Sequence, residues 1–210
     1  MQWLWIIPVL LVVLLAVFIP LLVGKFRQPD SGEDGEQYVA SVLKDCMREG
    51  DKLINDVIVV NPENGNSSQI DHILFSTRGI FVIETKNLSG DIYGDDLSKE
   101  WKQVLGDGSI VHFHLSPVRQ NNTHIYVLSK ILKTRVWLEN IVVFVQDNTH
   151  YIRSEFVYTP QELYTYLNGI TERPVSQRER DRLYNIVLQY KKNPPVTASQ
   201  HRRNIKQNHR

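Results

Sequence analysis

The sequence predicts an α/β domain, a mixed β-sheet flanked by helices, preceded by a single transmembrane helix. Three observations carry this. Across residues 33–190, apolar runs of strand type alternate with segments of helical periodicity. Two strand-like runs flank a short turn and so pair as a hairpin, while "IVVFV" (141–145) stands apart as a later buried strand. Ahead of them all, Trp3 to Val23 is 21 residues without a charge.

That run has the length of a membrane span, which takes about 20 residues to cross a hydrocarbon core of about 30 Å. Pro8 and Pro20 sit near its ends, and Trp3 and Trp5 suit the interfacial belt. No Lys or Arg precedes it, and Leu22-Val23-Gly24 makes a poor cleavage site, so an anchor fits better than a cleaved leader. Lys25 and Arg27 follow it. The positive-inside rule then puts the remaining chain in the cytoplasm, tethered to the inner (plasma) membrane by one pass. The expected organisation is an anchor over 1–24, a linker over 25–32, one domain over 33–190, and a basic disordered tail over 191–210.

Within the domain, Val39, Val42, Leu43, Cys46 and Met47 recur at helical spacing, so a helix is predicted over about 33–48 with Gly50 as its stop. "KLINDVIVV" (52–60) is a β-rich run and "NPENGNSS" (61–68) a loop. The hairpin "DHILFSTRGIFVIETKN" (71–87) follows, turning at Ser76-Thr77-Arg78-Gly79. "DIYG" leads into a polar, Gly-containing stretch around Trp101 to Gly108, and "SIVHFH" (109–114) alternates like a short strand. Ile125, Leu128, Ile131 and Leu132 predict a helix over 119–134. Two capping boxes start the last helices, Thr159-Pro160-Gln161-Glu162 and Ser176-Gln177-Arg178-Glu179, and Asn193-Pro194-Pro195 ends the second.

Net charge is +1, but it is unevenly placed. From Lys191 onward there are six basic residues and no acidic one. Taking those six from 24 leaves 18 basic against 23 acidic residues over 1–190, a net of −5. A mildly acidic body therefore carries a basic tail, which suits nucleic acid, anionic lipid or plain solubility. The single cysteine, Cys46, excludes an intramolecular disulfide and a Cys-rich zinc site. His112 and His114 share a strand face, but no Cys or carboxylate stands at ligand spacing beside them.

The hairpin carries the chemistry. Pairing Ser76 with Gly79, or Phe75 with Ile80, gives the same register and sets Asp71 directly opposite Glu84. Opposed Cβ atoms lie about 4.5–5.5 Å apart, so two carboxylates there repel. Desolvation at the end of an apolar strand adds to the cost. Either one carboxylate keeps its proton or a cation sits between them. Lys86, on the face of Glu84, is one such cation and gives a salt-bridged strand end. A divalent ion is the other, and two carboxylates with water and a phosphate suit Mg²⁺. Glu36 shares a helical stripe with Val39 and Leu43. It is either a further acid of this cluster or a first-turn glutamate stabilised by the helix dipole. Arg119, Gln120 and Lys130, on one predicted helix, are candidate phosphate contacts or its wet face.

"QIDHILFSTRGIFVIETKNLSGDIYG" (69–94), with Gly35-Glu36 upstream and Trp101 downstream, resembles the NERD (nuclease-related) domain, part of the PD-(D/E)XK restriction-endonuclease-like group. The resemblance runs from about Gly35 to Leu163. It implies a restriction-endonuclease-like mixed sheet and a nuclease, dependent on Mg²⁺ or Mn²⁺, that hydrolyses phosphodiester bonds in nucleic acid, with DNA processing the expected setting. It makes Asp71, Glu84 and Lys86 the catalytic set. Asp71, Glu84, the backbone carbonyl of Thr85, and Glu36 become the metal surroundings. Ile70 stands where the group name has Pro. Gln120 to His124 half-matches a Gln-x-x-x-Tyr element of recombination nucleases, with His in place of Tyr. The alternative is an idle module of the same fold that binds nucleic acid or a protein partner at the membrane.

Overall fold

In the computed structural model, residues 32–113, 115–197 and 199–201 are described. The anchor expected over 3–23, nearly all of the linker, His114, and the tail beyond residue 201 lie outside them. Among the described residues no helix is long and apolar enough to cross a membrane. The chain runs α1 (Gly32–Cys46), β1 (Lys52–Val60), β2 (Ser67–Ser76), β3 (Gly79–Lys86), β4 (Asp91–Asp95), β5 (Trp101–Val104), β6 (Ile110–Phe113), α2 (Pro117–Leu132), β7 (Leu138–Phe144), β8 (Ile152–Arg153), β9 (Val157–Tyr158), α3 (Pro160–Gly169) and α4 (Gln177–Lys192).

The main sheet has the order β1-β2-β3-β7-β9. β1, β2 and β3 form an antiparallel meander, whereas β7 and β9 join in parallel. A parallel neighbour needs a crossover, and the segment containing α2 supplies it. Side-chain alternation then divides the sheet's residues between two cores. Ile73, Phe75, Ile80 and Val82 pack with Val127 and Leu128 of α2 and Leu183 and Val187 of α4. Leu74, Phe81 and Ile83 pack with Val39 and Leu43 of α1 and Leu163 and Leu167 of α3. Both faces are covered, which is why the hairpin is apolar on both sides.

Ser76 pairs with Gly79, so the loop is Thr77-Arg78, and the ladder runs to His72↔Ile83. Arg78 is buried. Its guanidinium donates to Ser76 Oγ, to the carbonyls of Cys46 and Leu167, and to Asp51 Oδ2. One turn residue thus ties the hairpin to the ends of α1 and α3.

Of a second sheet, β6-β5-β4-β8, only β6 was legible in the sequence, as the short strand expected over 109–114. The stretch from Trp101 that looked polar is strand β5, and Trp101 is 1% exposed. It stacks on Phe144 and donates its indole N–H to the Asp95 carbonyl. A Cβ on Gly94 would lie 2.2 Å from its ring, so this strand needs glycine for the indole to lie against it. With Ile92, Val118 and Val142, these residues join the two sheets.

Thr159 and Glu162 form the full capping box. Ser176 accepts from the Glu179 N–H. The Glu179 carboxylate, however, bonds Arg182 and Thr134. Part of the segment expected as disordered tail is folded. α4 extends to Lys192, whose neighbour Lys191 pairs with Asp56. Thr197 accepts from the Gln200 N–H, and His201 is buried with Nδ1 2.8 Å from Ser67 Oγ.

Candidate active site

The site forms where the β2–β3 ladder ends. Glu84 is buried, and Lys86 follows two residues along the same strand face. Lys86 Nζ donates to Glu84 Oε1 at 2.6 Å and to Gln120 Oε1 at 3.1 Å. Gln120 Nε2 donates to the same Glu84 oxygen at 2.7 Å. His124 Nδ1 lies 3.5 Å from the other carboxylate oxygen, Oε2. Neither Glu84 Oε2 nor His124 Nδ1 has a hydrogen-bond partner among the described residues, and both atoms are buried.

Gln120 and His124 reach Glu84 because they are four residues apart, on one face of α2. A buried amide network sets that helix on the sheet. Asn121 donates to the carbonyls of Val82 and Ile141 and to Asn140 Oδ1. Asn140 in turn donates to the Val118 carbonyl and to Asn122 Oδ1.

Asp71 comes from β2, one residue beyond the last β2–β3 pair. The expected register, which sets Asp71 across from Glu84, is the one observed up to that point. The strands are not regular here. Ile70 and Ile73 lie in one core although strict alternation would separate them, and Ile54 and Val57 of β1 do the same. Asp56, between the β1 pair, has φ +50°. Both strands turn over together, with the β1–β2 register unchanged. At the turn-over, Asp71 Oδ2 accepts the Thr85 N–H at 2.8 Å.

Burial, then the charge of Glu84, pushes the Asp71 carboxyl up to about 8; the Glu36 charge adds to it, against the Thr85 N–H and Lys86. Glu36, half-buried near the N-terminus of α1 but past its first turn, is itself raised by burial and then by Asp56, Glu84 and Glu33. Glu36, Asp71 and Glu84 therefore share one electrostatic neighbourhood. The N-terminus of α1 sits at the end of β3: a Cβ on Gly35 would lie 2.8 Å from that of Asn87.

The other candidates are dispersed. Arg119 is exposed and donates to the Leu97 carbonyl. Lys130 pairs with Glu63 at 3.2 Å and lies over the Tyr126 ring. It is ten residues from Gln120, about 15 Å along the helix. Gln120 alone of the three helix candidates touches Glu84 or Lys86. His124 was the unmatched half of the motif in the sequence, and the structure brings it to Glu84 beside Gln120. Sequence reasoning missed His72 and Asn55. His72 Nδ1 lies 3.0 Å from Asn55 Oδ1, and His72 Nε2 lies 3.2 Å from Thr85 Oγ1. Burial lowers the His72 imidazole to about 4, so the ring is neutral at physiological pH.

Among the described residues no three His, Cys, Asp or Glu side chains are grouped to hold a metal ion. The cluster still fits a divalent ion of the Mg²⁺ type. Such an ion takes one or two carboxylates and keeps several waters. Glu84 Oε2 has no hydrogen-bond partner among the described residues, and Asp71 is a carboxyl whose ionised form lacks a full counter-charge.

Two acids and a lysine thus lie at the end of a β-hairpin in a mixed α/β fold with helices on both faces of its main sheet. The model of the nuclease-related domain (NERD) matches residues 31–145, more than half of the chain, and the chain belongs to that family. An uncharacterised protein of Bacillus anthracis is 27% identical over 185 residues, which cover 84% of this chain and 85% of that protein. No solved structure matches the chain.

Proposed function

We propose that this protein is a metal-dependent nuclease that hydrolyses phosphodiester bonds of nucleic acid, with DNA the favoured substrate, while tethered to the inner face of the plasma membrane. One observation carries the catalytic part. Glu84 is gripped through one oxygen by Lys86 and Gln120, its other oxygen is buried with no hydrogen-bond partner among the described residues, and its charge helps raise Asp71. A salt-bridged strand end has no use for that second oxygen or for a second carboxylate. Asp71, Glu84 and the Thr85 carbonyl would hold Mg²⁺ or Mn²⁺, with Glu36 acting through the waters around it. Bound there, the ion supplies a water of lowered pKa and polarises a phosphoryl oxygen.

The chain's own groups do the rest. Lys86 retains donor capacity beyond its two hydrogen bonds, and directs it at the phosphate, where negative charge grows during in-line displacement. Gln120 fixes both Lys86 and Glu84, so the ammonium approaches the substrate from a set direction. Arg119 contacts the phosphate backbone outside the cluster, and Lys130 does so further along α2. The 21 uncharged residues from Trp3 to Val23, followed by Lys25 and Arg27, support the tether and its cytoplasmic side.

The test uses the full-length protein in detergent, with linear duplex DNA, single-stranded DNA and RNA, and with Mg²⁺, Mn²⁺ or EDTA. Cleavage needing the ion and falling at least about a hundredfold in Asp71→Ala, Glu84→Ala and Lys86→Ala supports the reading. A wild type that is inert on all three substrates, and whose melting temperature ignores both ions, sinks it. One observation favours a second reading, an idle module binding nucleic acid or a protein at the membrane. The chain ahead of the tail carries a net −5, which steers a polyanion poorly. Retained DNA binding without cleavage would select it.

A further inference from the structure

Behind the catalytic face lies a buried polar rung that spans three strands. Asn55 of β1, His72 of β2 and Thr85 of β3 meet through His72, at 3.0 Å on one ring nitrogen and 3.2 Å on the other. His72 is 1% exposed and Thr85 9%. Polar groups buried this deeply cost stability unless paired, and an apolar core of the same shape would serve the sheet as well. The rung sits where both strands turn over, and Thr85 stands between Glu84 and Lys86.

The backbone of Thr85 has a fixed direction. The Lys86 carbonyl accepts the Val145 N–H, so Lys86 faces β7. Successive residues of a strand present their backbone groups to opposite neighbours. The N–H and C=O of Thr85 therefore both point toward β2, and the N–H lands on Asp71 Oδ2. Thr85 thus orients the Asp71 carboxylate through its N–H and turns its carbonyl toward the same neighbouring strand. The residues on either side pair with β7, and the Thr85 side chain adds the hold on its own face, its hydroxyl going to His72. With Asn55 presenting an oxygen, His72 carries its proton on Nδ1 and accepts from Thr85 at Nε2.

We propose that His72 is a positioning residue of the nuclease site, which acts through the Thr85 hydroxyl to hold the Thr85 peptide and, through it, Asp71 in the geometry that receives the divalent ion. The assignment rests on the metal-dependent reading above. It concerns no contact between His72 and the ion or the substrate. Second-layer partners of this kind change metal affinity by about 10-fold to 100-fold when removed.

Thr85→Val keeps the shape and the peptide but deletes the hydroxyl, and Thr85→Ser restores it. Calorimetric titration with Mn²⁺ is expected to give a Kd at least about 10-fold weaker for Thr85→Val, near wild type for Thr85→Ser, and no weaker for Thr85→Val/His72→Gln than for Thr85→Val alone. Wild-type protein that binds no Mn²⁺ overturns both this inference and the reading beneath it. Wild-type binding with Thr85→Val within twofold overturns this inference alone. A second measurement needs no variant. Nitrogen chemical shifts of the metal-free protein should show His72 as the neutral Nδ1–H tautomer, and an Nε2–H tautomer or an exchange-averaged ring overturns the assignment.

Discussion

Lys86 Nζ sits 2.6 Å from Glu84 Oε1, so the lysine charge is committed to one of the two central carboxylates. Asp71 feels Lys86 only as a minor influence, and its one hydrogen-bond donor among the described residues is the Thr85 N–H. Excess negative charge therefore falls on Asp71, and protonation relieves it.

This makes stability depend on pH with a definite sign. The Asp71 carboxyl is raised in the fold, from 3.8 to about 8, so the folded protein holds a proton that the unfolded chain has released. Stability must fall as pH rises through that window, by no more than about 1.4 kcal/mol per pH unit for one proton. Three buried histidines act the other way. His72, His124 and His201 are all lowered by burial, so the unfolded chain binds protons first and stability is lost as pH falls below 6.5. Urea unfolding in EDTA is expected to show a maximum near neutrality and a decline between pH 7 and 8, and Asp71→Asn should abolish that decline. A rise from pH 7 to 8 in the wild type refutes the placement of Asp71.

Metal binding should release the same proton. At pH 7 the Asp71 carboxyl is largely protonated in the metal-free protein, and an ion binds the carboxylate. Mn²⁺ titrations in buffers of different ionisation enthalpy are expected to report the release of most of one proton at pH 7 and almost none at pH 9. Apparent affinity should rise by up to about tenfold per pH unit below the Asp71 pKa. Equal proton release at both pH values would mean that another group supplies the proton.

How much was legible in the sequence depended on whether a signal was local. The hairpin register followed from alternation and a short turn, and Thr159 with Glu162 follows from residues three apart. Of the second sheet, only β6 did. β5 carries Trp101 and Gln103 inward and Lys102 outward, but its burial rests on Gly94 in β4 and Phe144 in β7, which no local pattern connects. The same holds within the site. Glu84 and Lys86 were visible as a strand-face pair, yet His124 looked like a failed match because its relation to Glu84 depends on how α2 docks. That docking is set by Asn121 and Asn140, polar residues in segments read for their apolar periodicity. His72 stayed hidden because a histidine beside an aspartate in a strand has no spacing that announces two buried partners on different strands.

Arg78 tests the far end of the hairpin. Its guanidinium and the Asp51 carboxylate are 1% and 2% exposed, with 2.7 Å between them. Arg78→Met leaves that carboxylate buried without its charge partner, and two carbonyls without their donors. The expected loss is about 3–5 kcal/mol by urea unfolding. Arg78→Met/Asp51→Leu should recover a large part of it, because no bare charge then remains. A cost under about 1 kcal/mol for the single variant would show that the turn is not anchored as described.

Gly94→Ala probes the joint between the two sheets. A Cβ at residue 94 would come within 2.2–2.4 Å of three ring atoms of Trp101, which real contacts do not allow. The indole is pinned by its bond to the Asp95 carbonyl and by Phe144 behind it, so it has little freedom to retreat. Overpacking of this kind costs about 1–3 kcal/mol, and a chain of this size loses about 2–4 °C in Tm per kcal/mol. Trp101→Phe alone opens a cavity and also destabilises, but the smaller ring leaves room for the new methyl. In the double variant the two losses should therefore partly cancel. A fully additive double variant would show that the methyl and the indole do not meet.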